Sequence, residues 1–287
     1  MSSAVERLIE AEELPADYRK IVDRFWRPLS EEIAERAADN ADGKPLVVGI
    51  NGAQGSGKST LCKFLEVLLV EHNQIGVTLA LDDLYLTRAE RLQAAADHHP
   101  LFATRGVPGT HDVARGMAIL DALQAGKPVG LPIFDKAQDE PSAETRHVAR
   151  PVNVVLFEGW CIGAAPQTAA ELREPANALE RDEDGEGIWR REVNRRLATD
   201  YAELFARIDL LAMLKVPDFA TVVEHRRVQE KRLGWGPAVM DDAALDRFLA
   251  HYQRLTEHMF REMPARADIV VEIGRDQRPV RLSIKAG

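Results

Sequence analysis

Three glycines, a lysine and two hydroxyls at fixed spacing set the first expectation. The run Val47-Val48-Gly49-Ile50-Asn51-Gly52-Ala53-Gln54-Gly55-Ser56-Gly57-Lys58-Ser59-Thr60 places Gly52-x4-Gly57-Lys58-Ser59 between an apolar stretch and an apolar-periodic one. That is strand, loop and helix at phosphate-loop spacing. Glycines let the backbone fold tightly, so that several N–H groups point inward at a polyphosphate. A helix starting at the same point adds the attraction of its dipole. Lys58 would bridge the terminal phosphates, and the Ser59 hydroxyl would hold Mg²⁺. The expected nucleotide-binding residues are therefore Gly52, Ala53, Gln54, Gly55, Ser56, Gly57, Lys58, Ser59 and Thr60, with ATP and Mg²⁺ as cofactors. A chance glycine-rich turn is the alternative, and the strand–helix context argues against it.

Further residues could complete a phosphoryl-transfer site. Asp82 and Asp83 follow an apolar run, where a carboxylate could accept a proton from an attacking hydroxyl; a helix cap or turn is the other reading. Tyr85 could touch a substrate or belong to the core. Glu158 ends a second apolar run, as does an acid that orients Mg²⁺ or its water. Arg105 to Gly109 forms a glycine- and proline-shaped loop before Thr110-His111-Asp112. There Asp112 could bind sugar-like hydroxyls or cap the next helix, and His111 alone is more often structural. Asp135 and Lys136 form a charged pair in which Lys136 could meet an anionic acceptor. The segment His225-Arg226-Arg227-Val228-Gln229-Glu230-Lys231-Arg232 is either a lid bearing charge-neutralising cations or a solvated face.

Periodicity says what must position these groups. Residues 4–14 and 16–38 read as two helices packed as an N-terminal cover. Strand 46–50 leads to a helix over 58–73, and strand 77–81 leads to Asp82. Helices are expected over 88–98 and from the 109–112 turn to 123, with an extended run over 128–134. Strand 152–157 ends at Glu158, and an acidic loop covers 163–187. A helix over 188–205, a strand over 208–216, helices over 218–233 and 241–263, and strands over 267–273 and 280–284 complete the chain. Strands separated by helices imply an α/β fold, a mostly parallel sheet with helices on both faces. Polar residues at the strand ends then line the crevice at the carboxyl edge. The expected division is a helical extension over 1–44 and a P-loop domain over 45–287, with a lid helix near 218–233.

Composition narrows the class. The chain has 287 residues, 45% hydrophobic and 29% charged, with a net charge of −9. The acidic balance argues against a general nucleic-acid binder. No apolar run approaches the roughly 18 residues of a membrane span, and no signal peptide begins at Met1. Cys62 and Cys161 lack metal spacing and suit a reducing compartment. A cytoplasmic enzyme with a small-molecule substrate is expected.

Five motifs occur in order: residues 52–60, Leu81-Asp82-Asp83-Leu84-Tyr85-Leu86-Thr87, Arg105-Gly106-Val107-Pro108-Gly109-Thr110-His111-Asp112, Leu131-Pro132-Ile133-Phe134-Asp135-Lys136 and Leu156-Phe157-Glu158-Gly159-Trp160-Cys161. Together they resemble the D-glycerate 3-kinase family, within the phosphoribulokinase/uridine kinase class of P-loop kinases. The resemblance covers most of the chain from about residue 45. It implies Asp82 as catalytic base, Tyr85 and the Asp112 and Asp135 regions at the acceptor, Glu158 near Mg²⁺, and an arginine-bearing lid over 224–232. Lys58, Asp82 and Arg226 are thus the expected catalytic residues. Tyr85, Arg105, His111, Asp112, Asp135 and Lys136 join Asp82 around the substrate, and Ser59 and Glu158 attend the metal. One stretch departs from the family: the plant enzymes carry a Gly- and Arg-rich run after the Asp-Lys pair, whereas this chain reads Ala137-Gln138-Asp139-Glu140-Pro141-Ser142-Ala143-Glu144-Thr145-Arg146. Glycerate is the expected acceptor, with pantothenate, a nucleoside or another sugar-like alcohol as alternatives. A non-catalytic nucleotide-binding module is the alternative from another class. A GTPase is disfavoured because no Asn-Lys-x-Asp motif occurs, and an ABC-type ATPase because no Leu-Ser-Gly-Gly-Gln-like signature does.

Overall fold

A computed structural model describes residues 3–40, 42–232 and 240–285. Helix α1 (Ala4–Ala11) is followed by α2 (Tyr18–Ile21), a π-helical turn (Val22–Trp26) and α3 (Arg27–Ala38). The π turn lies just before Pro28, which lacks the N–H that would bond Arg24. Proline removes that bond and crowds the preceding turn, so the helix widens there without ending. Next come β1 (Leu46–Gly52), α4 (Lys58–Glu71), β2 (Gly76–Ala80), α5 (Arg88–Asp97) and α6 (Val113–Gln124). Strands β3 (Val129–Asp135), β4 (Glu140–Val148) and β5 (Val154–Gly159) precede α7 (Ala178–Glu183), α8 (Ile188–Ala198) and α9 (Asp200–Phe205). The order ends with β6 (Leu210–Lys215), α10 (Phe219–Arg232), α11 (Asp242–Arg266), β7 (Ile269–Ile273) and β8 (Pro279–Ile284).

The main sheet has six strands in the order β2-β5-β1-β6-β7-β8. All pairings are parallel except β7 with β8. The expected parallel sheet with a helical layer on each face is therefore present. Along β1 the residues alternate between two cores. Val48 and Ile50 pack with Leu61, Phe64, Leu65 and Leu68 of α4 and with Phe25, Trp26, Leu29 and Ile33 of the N-terminal helices. Val47 faces the opposite layer, with Leu120 of α6, Leu197 of α8, Tyr201 of α9 and Met259 of α11. The N-terminal helices thus cover the sheet, as their apolar stripes predict.

Three differences from the sequence reading have physical causes. Strand β4 was not anticipated: among the described residues it pairs only with β3, none of its residues is fully buried, and it carries no apolar run to mark it. Helix α7 lies inside the expected 163–187 loop. The helix expected over 188–205 breaks at Thr199, whose φ −118° and ψ −100° are not helical. That break turns Tyr201 into the core. The helix expected over 218–233 is present as α10, while its last expected residue, Leu233, lies outside the described residues. Among the described residues no helix is long and apolar enough to cross a membrane.

The connection from β5 to β6 is held by a buried ion pair. Arg190 donates from Nη1 to the Asp184 carboxylate at 3.0 Å and backbone oxygen at 2.6 Å, and from Nε and Nη2 to the backbone oxygens of Leu172 and Arg173. Asp184 also accepts the N–H groups of Trp189 and Arg190. Removing one partner strands the other in a dry interior. Arg190→Met should therefore cost about 3–5 kcal/mol of unfolding free energy, read by urea denaturation. Asp184→Asn/Arg190→Met should cost less than the sum of its single changes.

Candidate active site

Register builds the site. Glu158 of β5 lies opposite Ile50 of β1 on one side and Ala80 of β2 on the other. The loop after β1, the acid ending β5 and the residues after β2 therefore emerge at the same carboxyl edge. The phosphate loop turns through Gly55 at φ +75° and Gly57 at φ +89°, which side chains resist. A Cβ on Gly52 would stand 2.5 Å from the Ser56 hydroxyl. Helix α4 begins with no side-chain cap and no acidic residue in its first turn. The Ser56 hydroxyl is buried without a hydrogen-bond partner. Uncapped amides at a helix N-terminus and a buried hydroxyl in need of a partner fit a bound polyphosphate. Lys58 Nζ rests 3.4 Å from the Ala53 oxygen.

The Ser59 hydroxyl donates to Glu158 Oε1 at 2.8 Å. Burial raises the Glu158 carboxyl above its ordinary range, against the attraction of Lys58. Two hard oxygens together beside the loop suit Mg²⁺ held jointly with nucleotide phosphates.

After β2 the chain makes one 3₁₀ turn, anchored by buried Leu81 and Leu84. The two acids between them have different tasks. Asp83 accepts the backbone N–H of Phe134 at 3.0 Å and so ties β3 to this turn; burial raises its carboxyl. The Asp82 side chain is 36% exposed. It accepts the Tyr85 hydroxyl at 3.1 Å on Oδ1 and the Lys136 ammonium at 2.7 Å on Oδ2. Burial would raise its pKa, but Lys136 and then Lys58 outweigh that and hold it at about 2.

Behind Asp82 stands an aromatic stack. Tyr85 lies over the His111 ring at 4.5 Å and meets the Phe134 edge at 5.2 Å. Tyr201 accepts the Gly109 N–H at 3.0 Å and lies 2.6 Å from His111 Nδ1. His111 is buried, and burial lowers its pKa to about 3, so the ring is neutral. Its role in the structure is to back Tyr85. Arg105 spreads over the Phe134 ring at 5.6 Å and pairs with Asp139. Fully buried Arg91 holds the same Asp139 at 2.6 Å. Tyr252 of α11 donates to the Arg105 backbone oxygen at 3.2 Å.

Asp112, Asp135 and Arg226 each meet partners near them in sequence, and for Asp112 this is the capping role that its position before a helix allowed. Asp112 caps α6, accepting the Arg115 N–H at 2.9 Å. Asp135 shapes the β3–β4 turn, accepting the N–H groups of Ala137 and Gln138, and thereby presents Lys136. Arg226 pairs with Glu230 along its own helix. The α10 residue against the phosphate loop is His225, whose Cβ would stand 2.7 Å from a Cβ on Gly55. Gln277, in the β7–β8 turn, donates to the Gly55 oxygen at 3.2 Å. Sequence reasoning missed Arg91, Asp139, His225, Tyr252 and Gln277. Asp139 lies in the stretch that departs from the family pattern, the one signal that pointed there.

His111 binds its proton less readily folded than unfolded, where its pKa is 6.5. The unfolded chain therefore holds more protons between about pH 3 and 6.5. Its stabilising contribution is complete above pH 6.5 and is lost as pH falls toward 3. Between pH 6.5 and 4.5 wild type should lose about 2–3 kcal/mol more than His111→Gln, measured by urea unfolding at each pH.

No family model matches the chain. An uncharacterized kinase of Schizosaccharomyces pombe, mug58, is 35% identical over 248 residues, covering 81% of this chain and 85% of that protein. The chloroplastic D-glycerate 3-kinase of Arabidopsis thaliana is 27% identical over 263 residues, which cover 84% of this chain but 55% of the plant protein. The solved structure of D-glycerate 3-kinase from Cryptococcus neoformans var. grubii superposes with a TM-score of 0.75 at 23% identity, covering 91% of this chain and 99% of that one, and shares its fold. With the phosphate loop and the carboxyl-edge acids in place, the chain belongs to the family of P-loop kinases that includes mug58, and it is similar to D-glycerate 3-kinases.

Proposed function

We propose that this protein transfers the γ-phosphoryl group of ATP to a hydroxyl of D-glycerate. The observation that carries the proposal is the Asp82 carboxylate in the turn that follows β2, the strand paired with β5 and Glu158, close enough to Lys58 of the phosphate loop to feel its charge. Residues 52–60 cradle the phosphates, with Lys58 neutralising their charge. Ser59 and Glu158 hold Mg²⁺, which when bound offsets charge on the phosphoryl oxygens. Asp82 orients the acceptor hydroxyl and takes its proton. Tyr85, backed by His111, fixes the direction of Asp82. Arg105 and Lys136 offer cations to an acidic acceptor, and Arg226 would join the phosphates on rearrangement of α10. The D-glycerate 3-kinase name of the plant relative supports this acceptor. The free, buried cysteines Cys62 and Cys161 suit a reducing compartment such as the cytoplasm.

Purified protein with ATP and Mg²⁺ should release ADP with D-glycerate well above the water background, and more slowly with pantothenate, uridine or glycerol. Preference for one of the latter would replace the acceptor. Asp82→Asn should lower kcat by about 10²- to 10⁴-fold while ATP affinity, measured by calorimetry, is kept. A variant retaining most of its turnover would remove Asp82 from the chemistry.

A further inference from the structure

Both carboxylate oxygens of Asp82, the proposed base, accept hydrogen bonds. The two donors are held very differently. Tyr85 is buried between the His111 face and the Phe134 edge and cannot leave without dismantling the stack. The Lys136 side chain is 60% exposed. Its backbone is fixed, because Asp135 closes the turn on the Ala137 and Gln138 N–H groups and Asp139 is gripped by Arg91 and Arg105. A pinned root with a free four-carbon stem lets the ammonium move while its origin stays in place.

We propose that Lys136 is an exchangeable counterion: an acceptor carrying a carboxylate draws its ammonium off Asp82, and only this exchange opens Asp82 Oδ2 to the acceptor hydroxyl. The inference rests on the reading of the protein as a kinase of a small hydroxy acid, and it adds a role for acceptor charge in unmasking the base. An ammonium on a carboxylate opposes protonation of that carboxylate. The other charged groups around Asp82 are Lys58 from α4, Glu158 from β5, and Asp83 beside it. Unlike these, Lys136 is joined directly to Asp82, so its departure changes the proton affinity of Asp82 most. Of the two cations offered to an acidic acceptor, Arg105 is held in place by Asp139, so the Lys136 ammonium is the one free to move toward a new anion. Once it has moved, the acceptor O–H bond breaks and its proton passes to Asp82 Oδ2. The acceptor oxygen bonds the γ-phosphorus as the bond from that phosphorus to the β–γ bridging oxygen breaks, and ADP leaves. A neutral alcohol brings no anion to draw the ammonium away, so it meets a masked base. Lys136 would then select acceptors through kcat as well as through KM.

The test compares D-glycerate with glycerol, which keeps both of its hydroxyls and carries a hydroxymethyl group in place of the carboxylate, in wild type, Lys136→Met and Lys136→Arg. In Lys136→Met, kcat/KM for D-glycerate should fall by at least about thirtyfold, while kcat for glycerol should rise because the base is no longer masked. Lys136→Arg, which keeps the charge, should restore most of the preference for glycerate. A lysine that merely binds the carboxylate would raise KM for glycerate and leave kcat for glycerol where it was; that result overturns the exchange, as does an unchanged glycerate-to-glycerol ratio in Lys136→Met. Wild type inactive on D-glycerate would instead defeat the functional reading, and the exchange with it.

Discussion

The parallel register of β2, β5 and β1 is the constraint on which the rest depends. Because β5 lies between the other two, Glu158 faces Ile50 and Ala80 at once. The phosphate loop, the Ser59–Glu158 contact and the turn bearing Asp82 all follow from that alignment. A slip of one residue would send every side chain of a strand to the other face and exchange the two cores. Close packing against glycines holds the register in the middle of β1 and at the end of β5. A Cβ on Gly159 would stand 2.7 Å from Leu81 Cβ, and one on Gly49 would stand 2.8 Å from Ile208. The buried Asn51 amide donates to the backbone oxygens of Trp160 and Ile162, joining the ends of β1 and β5.

Charge in the crevice is balanced. Two partly or fully desolvated acids, Asp82 and Glu158, face two lysines, Lys58 and Lys136. Burial pushes both acids toward their neutral forms. Contact with Lys136 wins at Asp82, whereas at Glu158 burial prevails over the pull of Lys58 and the hydrogen bond from Ser59. The two acids therefore differ in proton affinity although both belong to the same crevice. With Lys136 in contact Asp82 is the weaker base of the two; taking that ammonium away from Asp82 and placing a cation on Glu158 would both act to reverse the order.

Neutral and ionic supports behind the crevice divide the work. The Gly109–Tyr201–His111–Tyr85 chain is uncharged and fixes an orientation without adding field. The Arg91–Asp139–Arg105 group is ionic and holds the β3–β4 turn against α5 and the 104–112 loop. A lone buried Arg91 would be costly, but its donors reach the backbone oxygens of Leu86, Ala103 and Asp139 as well as the Asp139 carboxylate. That satisfaction is what makes a buried guanidinium tolerable.

The sequence by itself determined the parallel sheet, the phosphate loop and the two strand-end acids. Those features are local: apolar runs mark strands buried on both faces, glycine spacing marks the loop, and an acid after such a run must lie at the carboxyl edge. Tertiary structure decided which member of Asp82-Asp83 faces the crevice, since only the position of Phe134 assigns Asp83 to the backbone. It also decided that Asp112 caps a helix, that Asp135 closes a turn, and that His225, not Arg226, rests on the phosphate loop. Strand β4 and the pairing of Asp139 with Arg91 and Arg105 were equally out of reach, for each depends on residues more than thirty positions away or on a polar strand with no apolar signature. Local pattern reports what a segment buries; which partner meets it across the crevice is settled only when distant segments pack.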